Sequence, residues 1–236
     1  MTPSLPASPP ASTSIAAIAA RLAGVQARIA AACDAAGRDT GSVTLTAVSK
    51  TQPSEAIDAI LAAGQRVFGE NRVQEARARW QERRPDLPDL ELRLIGPLQT
   101  NKAADALALF DVIETLDRER LARALARAAE ASGKTPRVLV QVNTGGEPQK
   151  AGVSADGVEA LLGVARDLGL RVEGLMCIPP VAADPAPHFD RLAGLARRHG
   201  LAVLSMGMSA DYEAAIARGA THLRVGSALF GERIAV

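Results

Sequence analysis

The stretch Val43-Thr44-Leu45-Thr46-Ala47-Val48-Ser49-Lys50-Thr51-Gln52-Pro53 decides how the chain is read. Residues 43–49 alternate and are rich in β-branched side chains, the pattern of a strand. Pro53 suits the first turn of a helix, where its fixed φ fits and its missing N–H is not needed. Lys50 therefore falls at the junction of a strand and a helix, the rim of a sheet or barrel on which sites are built. Of 27 Lys and Arg residues only Lys50, Lys102, Lys134 and Lys150 are lysine, leaving 23 arginines. Where a positive charge alone is wanted, this sequence uses Arg. A Lys kept at a strand end points to chemistry Arg cannot perform. A partly desolvated amine loses its proton and forms a Schiff base with an aldehyde. A solvated strand-end lysine is the plain alternative.

Outward from this stretch, strands and helices alternate. The pattern predicts strands near 43–49, 66–69, 91–95, 111–115, 137–142, 171–176, 202–205 and 222–225. Helical spacing covers 54–63, 71–83, 100–108, 117–132, 154–168, 186–199, 211–217 and 227–233, preceded by a helix over 15–36 that Gly37 stops. Eight strand–helix units in 236 residues predict an α/β fold, a single (β/α)8 TIM-like barrel over 15–236. A doubly wound open sheet is the competing architecture, but no Gly-x-Gly-x-x-Gly follows the first strand. Residues 1–14 hold four prolines and no charge, and are expected to be a disordered extension rather than a signal peptide.

Composition narrows the function. The net charge is +1, and most arginines are interleaved with acids, so neither nucleic acid nor a membrane surface is an expected partner. No apolar run reaches the roughly 18 residues of a span. Cys33 and Cys177 sit in unlike contexts and read as free thiols of a reducing cytoplasm. The three histidines are scattered, so no metal site is expected, and His222 reads as structural.

Near the C-terminus, Ser205-Met206-Gly207-Met208-Ser209-Ala210-Asp211 and Arg224-Val225-Gly226-Ser227-Ala228-Leu229-Phe230-Gly231 each read as a strand end, a small-residue turn and a helix start. Two such turns offer N–H groups, hydroxyls and positive helix ends, which suit a phosphate. Each serine alone is as readily a helix cap. An early amine combined with a late phosphate cradle describes a site for a phosphorylated aldehyde.

Seven segments then carry a resemblance: Ala-Val-Ser-Lys-Thr-Gln-Pro (47–53), Phe-Gly-Glu-Asn-Arg-Val-Gln-Glu (68–75), Leu-Ile-Gly-Pro-Leu-Gln-Thr-Asn-Lys (94–102), Glu-Pro-Gln-Lys-Ala-Gly-Val (147–153), Gly-Leu-Met-Cys-Ile-Pro-Pro (174–180), Ser-Met-Gly-Met-Ser-Ala-Asp (205–211) and Arg-Val-Gly-Ser-Ala-Leu-Phe-Gly (224–231). In this order they resemble the pyridoxal 5′-phosphate homeostasis protein family. The resemblance implies fold type III of the pyridoxal-phosphate proteins, an alanine-racemase-like barrel without the C-terminal β-domain of alanine racemases. It implies a Schiff base on Lys50, phosphate ligands at Ser209, Gly226 and Ser227, and Asn71 beside the cofactor ring. It also implies that Arg224 points at the pyridine nitrogen. Met206, with Met176 and Ile178, is expected to line the ring. Arg93, Gly146 and Cys177 depart from the family's usual His, larger residue and Ala, with Arg93 and Gly146 expected at the pocket rim.

The implied role is buffering or delivery of the cofactor to apo-enzymes, by a monomer with little or no turnover. Gln99, Asn101, Lys102 and Lys150 offer a second binding or transfer surface on the same rim. The alternative is an amino-acid racemase, which needs an acid/base on each face of the substrate carbon. The one tyrosine, Tyr212, is expected behind the phosphate turn, badly placed for that task.

Overall fold

The computed structural model describes residues 14–231, so the predicted N-terminal extension lies outside the described residues apart from Ser14. The chain opens with α1 (Ile15–Ala35) and continues β1 (Thr44–Val48), α2 (Ser54–Ala62), β2 (Val67–Glu70), α3 (Val73–Trp80), β3 (Glu91–Leu94) and α4 (Ala103–Leu109). It goes on through β4 (Val112–Leu116), α5 (Glu119–Ser132), β5 (Arg137–Asn143), a two-residue β6 (Val153–Ser154), α6 (Val158–Asp167), β7 (Arg171–Met176) and α7 (Ala186–Arg198). It closes with β8 (Val203–Met208), α8 (Tyr212–Ile216), β9 (His222–Val225) and α9 (Ser227–Phe230). All strand pairings are parallel. They run β1-β2-β3-β4-β5-β7-β8-β9 and back to β1, a closed eight-stranded barrel, with β6 added beside the end of β5.

The barrel closes because each strand has two buried faces. On β1, Leu45 and Ala47 pack into the helix layer while Thr46 and Val48 turn inward. On β9, Leu223 and Val225 face the helices and Arg224 the interior. That accounts for strands carrying charge in alternation with apolar residues instead of continuous apolar runs. The interior is mixed. Val112, Leu139 and Met176, with Val203 against them, form a small apolar cluster separate from the outer core. Beside it lie buried Arg93, Glu114, Ser205 and Arg224.

The expected element boundaries are met within a few residues. Pro53 precedes the first helical residue of α2 and serves as its N-cap, one position earlier than expected. The α1 helix departs from the reading that no segment could span a membrane. Its 21 residues are long and apolar enough by length and composition, an 18-residue stretch of them having a mean hydropathy of 1.4. Here it buries Ile18, Leu22, Val25, Ile29 and Cys33 as one stripe, packs on α2, α8 and α9, and ties Arg21 to the Leu229 carbonyl at 2.8 Å. A stripe of this kind is how a helix covers a barrel, each large side chain contributing about 1.5–3 kcal/mol of burial.

Candidate cofactor-binding site

The β1 end positions Lys50 through the residues on either side of it. Ser49 Oγ donates to Glu70 Oε1 at 2.7 Å, and the Ser49 N–H donates to the Gly69 carbonyl at 3.1 Å. Glu70 Oε1 also accepts from Arg79 Nη1 at 2.8 Å and Trp80 Nε1 at 2.9 Å, so the strand end is tied into α3. Thr51, directly after Lys50, has φ of 62°, the one non-glycine residue in the left-handed region among the described residues. A β-branched residue is strained there, directly beside the lysine that lines the cavity.

The β9 end lies against it. Ala47 pairs with Val225, and a Cβ built on Gly226 would stand 3.5 Å from Val48 Cβ. Ser209 Oγ, from the loop after β8, accepts the Gly226 N–H at 3.2 Å and the Ala228 N–H at 3.4 Å. Between the two ends opens a cavity of about 220 Å³. Lys50, Asn71, Arg224, Gly226 and Ser227 line it, and Val48, Ile95, Ile178 and Met208 supply apolar walls. An amine, a turn of N–H and hydroxyl groups, a guanidinium and flat apolar walls fit a phosphorylated aromatic aldehyde.

Three expectations are corrected, for Met206, Arg93 and Met176. Met206 does not line the cavity; it is fully buried in the outer core, and Met208 takes the place. The pairing of β8 with β9 shifts register between Ser205 and Met208, where Gly207 has φ of 91°. This bulge reverses the alternation, so Met208 joins the inward side occupied by Ser205. Nor is Arg93 at the rim. It is 1% exposed in the barrel interior, donating through Nε to Glu114 Oε1 and through Nη1 to Glu91 Oε1, both at 2.5 Å. Asn71 is not a helix cap, since Arg72 occupies that position. Met176 belongs to the interior cluster, and Ile178 lines the cavity as expected.

The remaining titratable groups are set by burial. Burial pushes the Cys177 thiol up to about 12, which removes it as a nucleophile. Burial pushes His222 down to about 4, so its ring is neutral near pH 7. Glu114 is fully enclosed, which opposes its charge. The charges of Arg93 and Arg224, with hydrogen bonds from Ser205 and Arg93, nonetheless hold its carboxyl below the usual range. Tyr212 is 1% exposed beneath the Arg28 guanidinium, which lies 5.2 Å from its ring centroid, and it is not among the described cavity residues. Gln99 and Lys102 line a separate recess with Arg72 and Arg118, whereas Lys150 pairs with Glu147 at 2.7 Å. Gly146 adopts φ of 68°, a conformation a larger side chain resists. Among the described residues no cluster of His, Cys, Asp or Glu could hold a metal ion.

The family model for the alanine racemase N-terminal domain matches residues 21–234. A pyridoxal phosphate homeostasis protein of Pseudomonas aeruginosa is 45% identical over 92% of this chain and 96% of its own. The chain belongs to the pyridoxal phosphate homeostasis protein family. Another homeostasis protein, from Aquifex aeolicus, is 41% identical over 90% of this chain and 97% of its own. Among solved structures, PipY of Synechococcus elongatus with pyridoxal phosphate bound superposes with a TM-score of 0.76 at 39% identity, covering 91% of this chain and all of PipY. An alanine racemase of Clostridium difficile shares the barrel, with a TM-score of 0.70 at 14% identity. That likeness covers 92% of this homeostasis-family chain but 58% of the racemase.

Proposed function

We propose that this protein binds pyridoxal 5′-phosphate through Lys50 and buffers or delivers it to apo-enzymes, with little or no turnover. One observation carries the reading: the cavity unites Lys50, the Gly226–Ser227 turn and Arg224, one group for each polar end of that molecule. When bound, the cofactor supplies an aldehyde carbon with which an amine combines and a pyridine ring that draws electrons away from it. Lys50 would hold the aldehyde end. Ser227 and the Gly226 turn would hold the phosphate, with Ser209 buttressing it. Ser209 accepts two N–H groups, which leaves its own O–H to donate toward an anion. Arg224 would donate to the ring nitrogen, and its fixed positive charge disfavours protonation there. Asn71 and Met208 would flank the ring.

Low turnover is supported by what the cavity offers. Lys50 and Arg224 are the ionisable residues among its described walls, and a guanidinium has no acceptor lone pair with which to serve as a base. Two-face proton transfer needs a second base, and Tyr212 is enclosed elsewhere. Two buried, unbridged cysteines support a reducing cytoplasm as its location. Among the described residues the exposed large apolar side chains, Ile15, Ile178 and Val181, are few, which supports a monomer.

The test is a visible spectrum of the purified protein with added pyridoxal phosphate, followed by an assay of L-alanine conversion to D-alanine. A yellow protein without racemisation supports the carrier. A protein that stays colourless overturns the reading, and enzyme-like racemisation replaces it with a catalytic one.

A further inference from the structure

Arg224 is a buried cation whose hydrogen bonds, among the described residues, go to neutral groups. Its Nη1 donates to Ser205 Oγ at 2.6 Å and its Nη2 to the Cys177 carbonyl at 2.7 Å. Ser205 Oγ in turn donates to Glu114 Oε2 at 2.5 Å. Glu114 is wholly enclosed, and its other oxygen accepts from Arg93. The four residues come from β9, β8, β4 and β3, so the chain of hydrogen bonds crosses the barrel and ends on the cavity floor.

The order of protons in this chain is fixed. Ser205 has one hydroxyl proton, which goes to the carboxylate, and its lone pair is thereby turned to Arg224. We propose that Glu114 is a positioning residue, which through Ser205 holds the Arg224 guanidinium at the cavity floor where a pyridine nitrogen can accept from it. This rests on the pyridoxal-phosphate reading above. Arg93, shared with Glu91, holds one oxygen of the carboxylate from the far side and leaves the other to Ser205. A buried ion pair adds little net stability relative to apolar packing, and this one stands beside an apolar interior cluster that shows such packing is accessible to the barrel. Its use is orientation.

Glu114→Gln tests the idea because the amide has one acceptor and one donor end. With its oxygen kept on Arg93, its NH2 faces Ser205, whose hydroxyl then meets two donors and loses its acceptor. The readout is equilibrium binding of pyridoxal phosphate and of its 1-deaza analogue, in which C–H replaces the ring nitrogen. E114Q is expected to lose about tenfold in affinity for pyridoxal phosphate and less than twofold for the analogue, a selectivity change of more than about fivefold, or roughly 1 kcal/mol. Ser205→Ala, which leaves the Arg93 pair intact, gives the same selective loss should E114Q fail to fold. In an Arg224→Gln background neither change has a further selective effect. Equal losses for both ligands, or a selective loss that persists without Arg224, overturn the role of Glu114. Binding of neither ligand by wild type removes the cofactor reading itself and this inference with it.

Discussion

The end of β1 and the ends of β8 and β9 meet at one cavity, yet they are built from different materials. The β1 end is held by side chains: Ser49 on Glu70, Glu70 on Arg79 and Trp80, and a strained Thr51 beyond the lysine. At the β8 and β9 ends backbone donors meet short side chains: the Gly226 and Ala228 N–H groups gather on Ser209 Oγ, the Met208 N–H donates to Asp211 Oδ1 at 2.6 Å, and Gly207 takes φ of 91°. The difference follows from what each end must present. A reacting amine needs one trajectory, which neighbouring side chains can set. An anion needs several convergent donors, which the Ser209 and Ser227 hydroxyls at a short turn would supply without long side chains.

The sharpest way to break this comparison is to remove the amine. Lys50→Arg keeps the charge and loses the chemistry, so borohydride treatment with pyridoxal phosphate should fix no adduct where wild type carries one on the Lys50 peptide. Peptide mapping that finds wild-type adduct mainly on Lys102, Lys134 or Lys150 would move the covalent wall elsewhere. At the other end, Ser209→Ala with Ser227→Ala should weaken pyridoxal phosphate on the order of a hundredfold while leaving unphosphorylated pyridoxal nearly unchanged. Hydrogen bonds to charged groups contribute roughly 1.5–3 kcal/mol each. Titration with both aldehydes is the check, and equal losses would mean that the turn matters for folding rather than for the anion.

Both ends were legible in the sequence to the extent that they obey local rules. Lys50 stands at a strand end, Gly226 and Ser227 in a turn, and Arg224 two residues back on the same face; alternation predicts all of this. The same rule applied to Leu94 and Ile95 would have placed Ile95 in the cavity, two residues beyond inward-facing Arg93. Met208 was not legible, because one extra residue at Gly207 breaks the period of two and nothing local announces which residue bulges. Glu114 did leave a signal, a lone carboxylate inside the apolar strand Val112–Leu116. Its partners Arg93 and Ser205 lie 21 and 91 residues away, the first on the neighbouring strand and the second across the barrel, where only the closed fold brings it.

Beneath both ends the interior should answer to pH, which separates the floor from the walls. His222 titrates near 6.5 when unfolded and is pushed to about 4 in the fold, mainly by burial. Between those values the unfolded chain binds the proton and the folded chain does not. Stability is therefore full above pH 6.5 and is lost as pH falls toward 4. The full shift corresponds to roughly 3 kcal/mol, and partial solvent access to the ring brings the expectation to roughly 2 kcal/mol. Urea denaturation at pH 7 and pH 4.5 should show this loss in wild type and not in His222→Gln. Glu114, held below the usual range, adds loss in the same direction at lower pH still. A variant whose pH dependence matches wild type would assign the acid sensitivity to the carboxylates alone.

The smallest expected effect probes the strain at the β1 end. Thr51 adopts φ of 62°, and its Oγ1 donates to the Lys50 carbonyl at 2.6 Å. For a residue with a Cβ this conformation costs about 1–2 kcal/mol. Thr51→Gly removes that cost, but it adds about 0.5–1 kcal/mol of unfolded-chain entropy and gives up the hydrogen bond. Net stability should therefore change by less than about 1 kcal/mol. Capture of the cofactor should respond differently. A glycine admits more backbone conformations after Lys50, so the amine spends less time aimed over the cavity, and the rate of adduct formation should fall about twofold to fivefold. Stopped-flow absorbance measures that rate, and denaturation measures stability on the same preparation. If both stay at wild-type values, the left-handed turn is incidental to Lys50, and the Ser49–Glu70 anchor alone aims the lysine. If the rate falls while stability holds, strain beside the amine is part of how a side-chain-built wall keeps its trajectory.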